Sequence, residues 1–170
     1  KQPLLIYGEP GLGKSAFVKQ YCEDAADAKG KQFVNWNKIS SQMKLKVMED
    51  PSKYFVLVDV RTAQLEPSDI IGIPDIASSK GYLETKQPKW IHFMSLEGAD
   101  GILFLDEINQ GSPQILKALF EVVLEYSAGG TPFSKDFVII GAGNLGGDHG
   151  NDPIPPALTN RFTCGVLIAG

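Results

Sequence analysis

Short runs of aliphatic and β-branched residues alternate along the chain with stretches in which apolar positions return every three to four residues. The runs at 4–7, 54–60, 101–105, 137–141 and 164–168 are almost wholly apolar, as strands must be when both faces of a parallel sheet are covered by helices. Residues 14–28 carry Phe17, Val18, Tyr21, Cys22, Ala25 and Ala26 at helical spacing and predict a helix with one buried face. Residues 37–49 predict a second helix, closed by Pro51, with Ile39, Met43, Val47 and Leu45 turned inward. Residues 112–126 form the clearest helical pattern. Ser112 is placed to cap it, Pro113 takes its first position, and Ile115, Leu116, Leu119, Phe120 and Val123 share one face. Two stretches read as hairpins: 73–85, turning at 78–81, and the segment around Ala128, Gly129 and Gly130 that leads into 131–136. Together the pattern predicts a single α/β domain with a parallel sheet between helical layers.

Length agrees, because 170 residues can bury one sizeable core without disulfides or metals. The formal net charge of -4 offers no basic stripe for nucleic-acid phosphates, and no apolar stretch approaches the length of a membrane span. Cys22 and Cys164 are the only cysteines and form no CxxC or Cys/His cluster, so they predict two buried thiols in a reducing, cytoplasmic setting. His92 lies in a helical run (Trp90, Ile91, Phe93 and Met94 flank it) and His149 in a Gly-rich loop; neither predicts a ligand.

The chemistry gathers at strand ends. Residues 8–15 read GEPGLGKS, a full GxxxxGK[ST] match that follows an apolar strand and opens an amphipathic helix. Glycines let backbone N–H groups turn toward phosphates, Lys14 can reach their outer oxygens, and Ser15 can hold Mg²⁺. The predicted nucleotide contacts are therefore Gly8, Glu9, Pro10, Gly11, Leu12, Gly13, Lys14, Ser15 and the adjoining Ala16. Residues 101–109 read GILFLDEIN, which delivers Asp106 and Glu107 to the edge of the sheet where ligands bind in open α/β folds. Asp106 can orient Mg²⁺, and Glu107 can polarise a water that attacks the γ-phosphate. Residues 137–144 read FVIIGAGN and end in Asn144, an amide able to donate to the γ-phosphate or to align that water.

These three strand ends, in this order, resemble the Walker A, Walker B and first sensor motifs of AAA+ ATPases. RTAQLEPSDIIGIPD at 61–75 and PPALTNRF at 155–162 are similar to the helix-2 segment and the arginine-finger segment of the MoxR-like, helix-2-insert clade. The resemblance covers essentially the whole chain and implies a three-layer P-loop core with a five-stranded parallel sheet of order 5-1-4-3-2. It also implies ATP and Mg²⁺ as cofactors and a ring, hexameric when full length, in which Arg161 serves the ATP of a neighbouring subunit. The two hairpins would face the pore or a client, and a protein partner with a von Willebrand A domain is carried over from the clade. Arg161 is one of only two arginines, the other being Arg61. Family members carry an upstream adenine-contacting segment and a helical lid with a second sensor. The chain starts three residues before its first strand and stops just past the fifth, which leads us to expect a large subdomain taken from a longer protein.

The function expected is an ATP-hydrolysing core of a remodelling or chaperone machine. The alternative is a nucleotide-dependent assembly switch or motor subunit, regulatory or restriction-type, of low turnover. A GTPase or small-molecule kinase is disfavoured, because no NKxD motif is present and an acid at Glu107 suits water activation better than transfer to a hydroxyl.

Overall fold

The computed structural model describes residues 2–144 and 154–166, with side chains through 163 in the second segment. The predicted loop at His149, the side chain of Cys164 and the last predicted strand positions, 167 and 168, lie outside the described residues.

The first half of the chain forms β1 (Leu4–Gly8), α1 (Lys14–Ala28), β2 (Gln32–Asn35), α2 (Ser41–Glu49), β3 (Tyr54–Arg61), α3 (Ser68–Ile71) and the short strands β4 (Ile73–Asp75) and β5 (Glu84–Lys86). The second half forms α4 (Lys89–Ser95), β6 (Asp100–Asp106), α5 (Pro113–Glu125), the two-residue strands β7 (Ser127–Ala128) and β8 (Thr131–Pro132), β9 (Asp136–Asn144), α6 (Pro156–Thr159) and β10 (Thr163–Val166). The main sheet runs β10-β1-β9-β6-β3-β2 and is parallel throughout. The five expected strands occur in the expected order, with β9 between the strand of the phosphate loop and the strand of Asp106. A sixth strand, β2, extends the sheet beyond β3. Its sequence QFVN holds two apolar residues, too few to register as a buried strand, and at an edge it needs no more.

Alternation along the strands divides the core in two. Leu5, Val56, Val58, Leu103 and Ile139 face the layer holding α5, while Ile6, Phe55, Leu57, Ile102, Phe104 and Ile140 face α1. Each fully buried aliphatic contributes about 1.5–3 kcal/mol, so both layers are substantial. The α1 face departs from expectation. Val18, Cys22 and Ala26 meet the sheet, but Phe17 and Tyr21, read as inward, are 53% and 55% exposed. A helix resting on a sheet buries only a narrow stripe, and this stripe is built of small side chains. Phe17 and Tyr21 instead flank a cavity of about 320 Å³ beside the helix, floored by Val138 and Ile140. Burial pushes the Cys22 thiol up to about 12, with Glu23 adding a smaller push.

The helix expected over 37–49 is broken. Trp36–Lys38 is a single 3₁₀ turn, and α2 starts afresh behind Ser40, whose hydroxyl accepts the Met43 N–H at 3.1 Å. Leu45 points to solvent at 52% exposure, whereas Val47 is wholly buried. Ser112 caps α5 as predicted, accepting the Ile115 N–H at 3.3 Å. Phe120 is only half-buried, and Val122 fills the core in its place. Both hairpins form, β4 pairing with β5 and β7 with β8. They are joined by Gln87, whose amide donates to Thr131 Oγ1 and, at 3.4 Å, to the Ala128 carbonyl.

At the amino end of β6, Asp100 is buried and receives Lys29 Nζ at 2.8 Å and Lys31 Nζ at 2.9 Å. This pairing ties the end of α1 and the approach to β2 to the strand that carries Asp106.

Candidate functional site

Parallel register sets the working edge. Gly8 at the end of β1 lies opposite Asn144 at the end of β9, and Asp106 at the end of β6 lies opposite Arg61 at the end of β3. The glycine that opens the loop and three polar residues, Asn144, Asp106 and Arg61, therefore stand in one row at four adjacent strand ends before any loop geometry is considered.

The loop after β1 turns through a Leu12 N–H to Glu9 carbonyl bond of 3.4 Å. Gly11 and Gly13 take positive φ, 83° and 74°, which an L side chain rarely adopts. No atom lies within 4 Å of the point where a Cβ would project from either glycine, so backbone torsion and not crowding demands them. Gly13 is also the residue before α1, and no side chain caps that helix end. First-turn N–H groups and the positive end of a 15-residue helix are thus presented to the loop.

Lys14 is 7% exposed. Its ammonium donates to the Gly8 carbonyl at 3.0 Å, the Glu9 carbonyl at 2.9 Å and Asn144 Oδ1 at 3.2 Å. Three protons meet three acceptors, so the buried cation is satisfied within the protein. Ser15 Oγ donates to Asp106 Oδ2 at 3.0 Å, and the other carboxylate oxygen accepts the Glu107 N–H at 2.9 Å. Glu107 has left-handed backbone angles, φ 52° and ψ 42°. Around these groups lies a cavity of about 290 Å³, bounded by Pro10, Gly11, Gly13, Lys14 and Ser15 on one side and by Asp106, Glu107 and Asn144 on the other. Residues 91 and 130 positions apart in the chain are in direct contact here.

The donor set suits Mg²⁺. Ser15 Oγ and Asp106 Oδ2 are adjacent hard oxygens, and among the described residues no cluster of three or more His, Cys, Asp or Glu could cage a cation by itself. A cation held by one or two protein oxygens completes its shell with phosphate and water, as Mg²⁺ does.

Most of the sequence-predicted set is therefore gathered in one place. Gly8 and Glu9 lend carbonyls to Lys14 and do not line the cavity, while Leu12 and Ala16 sit in the turn and first helical turn beside it. Arg161 is not brought to it. It follows α6, its side chain is exposed, and its N–H donates to the Leu158 carbonyl at 3.1 Å.

Three neighbours escaped the sequence reading. Asn109, 8% exposed, accepts the Asn144 N–H through Oδ1 at 3.4 Å, at the long limit of such a bond. Thr62, 1% exposed, places Oγ1 at 2.5 Å from the Glu107 carbonyl and 3.1 Å from that of Asp106. Asp59 has one buried carboxylate oxygen without a partner among the described residues. Burial and then the nearby Asp106 raise its pKa, against smaller opposing effects of Arg61 and Lys38. Asp59 and Arg61 open onto a second cavity of about 490 Å³ walled by Trp36 and Trp90.

The crystal structure at 2.00 Å of a protein from Cytophaga hutchinsonii ATCC 33406, named a "putative ATPase", is similar to this chain with a TM-score of 0.53 and 21% identity. The similarity covers 99% of this chain but 42% of that one, and at this identity it speaks for the fold alone. No sequence among curated proteins matches the chain. The profile of the ATPase family associated with various cellular activities (AAA) matches residues 4–168, a span that takes in the loop at 8–15, Asp106, Glu107, Asn144 and Arg161. By that match, the chain belongs to the AAA family of ATPases.

Proposed function

We propose that this chain is the nucleotide-binding large subdomain of a MoxR-like AAA+ protein, and that it binds ATP with Mg²⁺ and hydrolyses it to ADP and phosphate. One observation carries the reading. The Lys14–Asn144 and Ser15–Asp106 contacts bring the three motif ends around a single cavity, beside a helix end that no side chain caps.

The roles follow from the chemistry of each group. Backbone N–H groups of the glycine loop and the start of α1 receive the phosphates. Lys14 exchanges carbonyl and amide acceptors for phosphate oxygens, so its charge is used without having to be desolvated afresh. Ser15 and Asp106 would hold the Mg²⁺, which when bound neutralises charge on the β- and γ-phosphates. Glu107 accepts the proton of the attacking water, and Asn144, freed from Lys14, orients that water or donates to the γ-phosphate. Arg161 acts on the ATP of a neighbouring copy. Its exposure, away from its own phosphate cavity, fits a finger supplied across an interface.

For the remodelling role, support comes from the β4–β5 hairpin. Ile76, Tyr82 and Leu83 between its strands are 91%, 63% and 68% exposed, a set of apolar side chains suited to gripping a protein client or a von Willebrand A-type partner. Ring assembly and cytoplasmic location belong to the same proposal. Among the described residues, no helix is long and apolar enough to cross a membrane.

The test is Glu107→Gln, assayed for ATP turnover and for ATP binding with Mg²⁺. The amide keeps the shape and loses the base, so turnover should fall at least ~10²-fold while binding persists. Turnover at the parental rate would place water activation elsewhere.

A further inference from the structure

Glu107 stands in a conformation that residues with a Cβ rarely adopt, at the position where the direction of a carboxylate matters most. The neighbouring element explains how it is held. β3 ends at Arg61, opposite Asp106, and the chain then closes into a 3₁₀ turn over Thr62–Gln64 that tucks Thr62 beneath the end of β6. Thr62 Oγ1 lies at 2.5 Å from the Glu107 carbonyl oxygen and at 3.1 Å from the Asp106 carbonyl oxygen. A hydroxyl has one proton, so the shorter contact to Glu107 takes most of it. The Glu107 carbonyl also accepts the Gln110 N–H at 2.8 Å, a second bond that anchors the same peptide.

These two oxygens belong to the two peptide planes that meet at the Glu107 Cα. The Thr62 hydroxyl holds one plane through the Glu107 carbonyl, and the other is held by the Glu107 N–H on Asp106 Oδ1 at 2.9 Å, so that φ and ψ of Glu107 and the direction of its Cα–Cβ bond are set. A buried threonine that merely needed a partner would be satisfied by any one carbonyl; this one spans the pair that sets a single residue's torsions. We infer that Thr62 is a positioning residue for hydrolysis, holding Glu107 in its left-handed conformation so that the carboxylate faces the phosphate cavity. The inference rests on the reading of Glu107 as the base.

The experiment compares Thr62→Val, which keeps shape and removes the hydroxyl, with Thr62→Ser, which keeps the hydroxyl. Both are made in the full-length protein and again with Glu107→Gln, and each is assayed for ATP turnover and for binding of a fluorescent ATP analogue with Mg²⁺. Displacing a catalytic group by about 1 Å costs up to ~10²-fold, so Thr62→Val should lower kcat by about 10- to 10²-fold. Analogue affinity should stay within about threefold, and Thr62→Ser should restore kcat to a similar margin. With Glu107→Gln already present, Thr62→Val should change the residual rate little, because both substitutions act through one carboxylate.

Parental kcat in Thr62→Val overturns the inference. So does an equal defect in Thr62→Ser, an undiminished effect in the Glu107→Gln background, or loss of nucleotide binding, which would make the hydroxyl a support of the whole site. Parental turnover that ignores Glu107→Gln overturns the hydrolysis reading itself and this inference with it, a pattern distinct from the others.

Discussion

Lys14→Ala removes an ammonium that the protein already uses. Without nucleotide, that ammonium bonds the Gly8 and Glu9 carbonyls and Asn144 Oδ1, at 2.9–3.2 Å, while only 7% exposed. Hydrogen bonds to a charged group are worth about 1.5–3 kcal/mol each when the partner is stranded, but alanine opens room for water to reach the carbonyls. The cost to the free protein is therefore nearer 1–2 kcal/mol in all, or roughly 2–8 °C in Tm for a domain of this size. Binding loses more. In the parent, nucleotide exchanges three neutral acceptors for charged phosphate oxygens, and that surplus, about 3 kcal/mol, corresponds to ~10²-fold in affinity. Calorimetric titration with ATP and Mg²⁺ reads the second quantity, and thermal denaturation with and without nucleotide reads the first. At a hundred times its Kd, ATP should stabilise the parent by about 2.7 kcal/mol and leave the variant almost unshifted. Asn144→Ala supplies the contrast, since it removes one competitor for the ammonium and should spare affinity. Unchanged affinity in Lys14→Ala would refute the phosphate-site assignment. An unchanged Tm in the free protein would refute the account of what the lysine does there.

Further outcomes can be checked separately. Arg161→Ala should bind ATP yet lose ~10³- to 10⁵-fold in turnover, and mixing it with Glu107→Gln subunits should restore activity if the finger acts across an interface. Co-assembled mixtures that stay inactive would confine Arg161 to its own subunit. Gly101→Ala should strongly destabilise the fold, because its Cβ would stand 1.9 Å from the Val56 carbonyl oxygen at φ 156°, between the central strands β3 and β6. A loss of ~4 kcal/mol, about 10 °C or more in Tm, is the expected scale, and a parental melt would contradict the geometry. Asp59→Asn should raise Tm at pH 7 in metal-free buffer. The folded-state pKa of Asp59 is raised by burial and Asp106, so its ionised form costs stability above that pKa, and the cost is relieved as pH falls through it. The gain should shrink toward low pH, and a lower Tm at pH 7 would reverse the sign of the argument.

The parts of the fold that could be read directly were those whose periodicity and burial coincide. α1 and α5 end within a residue of the expected positions, because Lys14 follows a turn-forming glycine, Ser112 caps, and the apolar stripes run unbroken between. The pattern misleads where apolar residues are plentiful but the surface they could cover is not. Phe17 and Tyr21 have the spacing of a buried face, yet they stand over the cavity beside α1 where Val138 of β9 is itself 36% exposed, and only the Val18, Cys22 and Ala26 stripe is buried against the sheet. β2 fails to register for the opposite reason. A four-residue edge strand needs one buried side chain, Val34, and takes its stability from pairing with β3.

In the site, legibility follows backbone demand. Gly11, Gly13 and Lys14 belong to a spacing that backbone torsions and a helix end impose, so the string itself carries the geometry. Asp106, Glu107 and Asn144 are legible because apolar strands deliver them to one edge, where parallel register fixes neighbours. Thr62 and Asn109 carry no such mark. Each acts through a backbone group of a residue on another strand or turn, Thr62 on the carbonyls of Asp106 and Glu107 and Asn109 on the N–H of Asn144. Nothing local distinguishes them from any polar residue after a strand. In the folded chain the link is plain: Glu107 holds positive φ without being glycine, which requires an outside restraint, and the turn that follows β3 sets the Thr62 hydroxyl beside it. Finding Thr62 therefore required the torsion of Glu107, which no spacing encodes, and the register of β3 on β6, which only the folded sheet supplies.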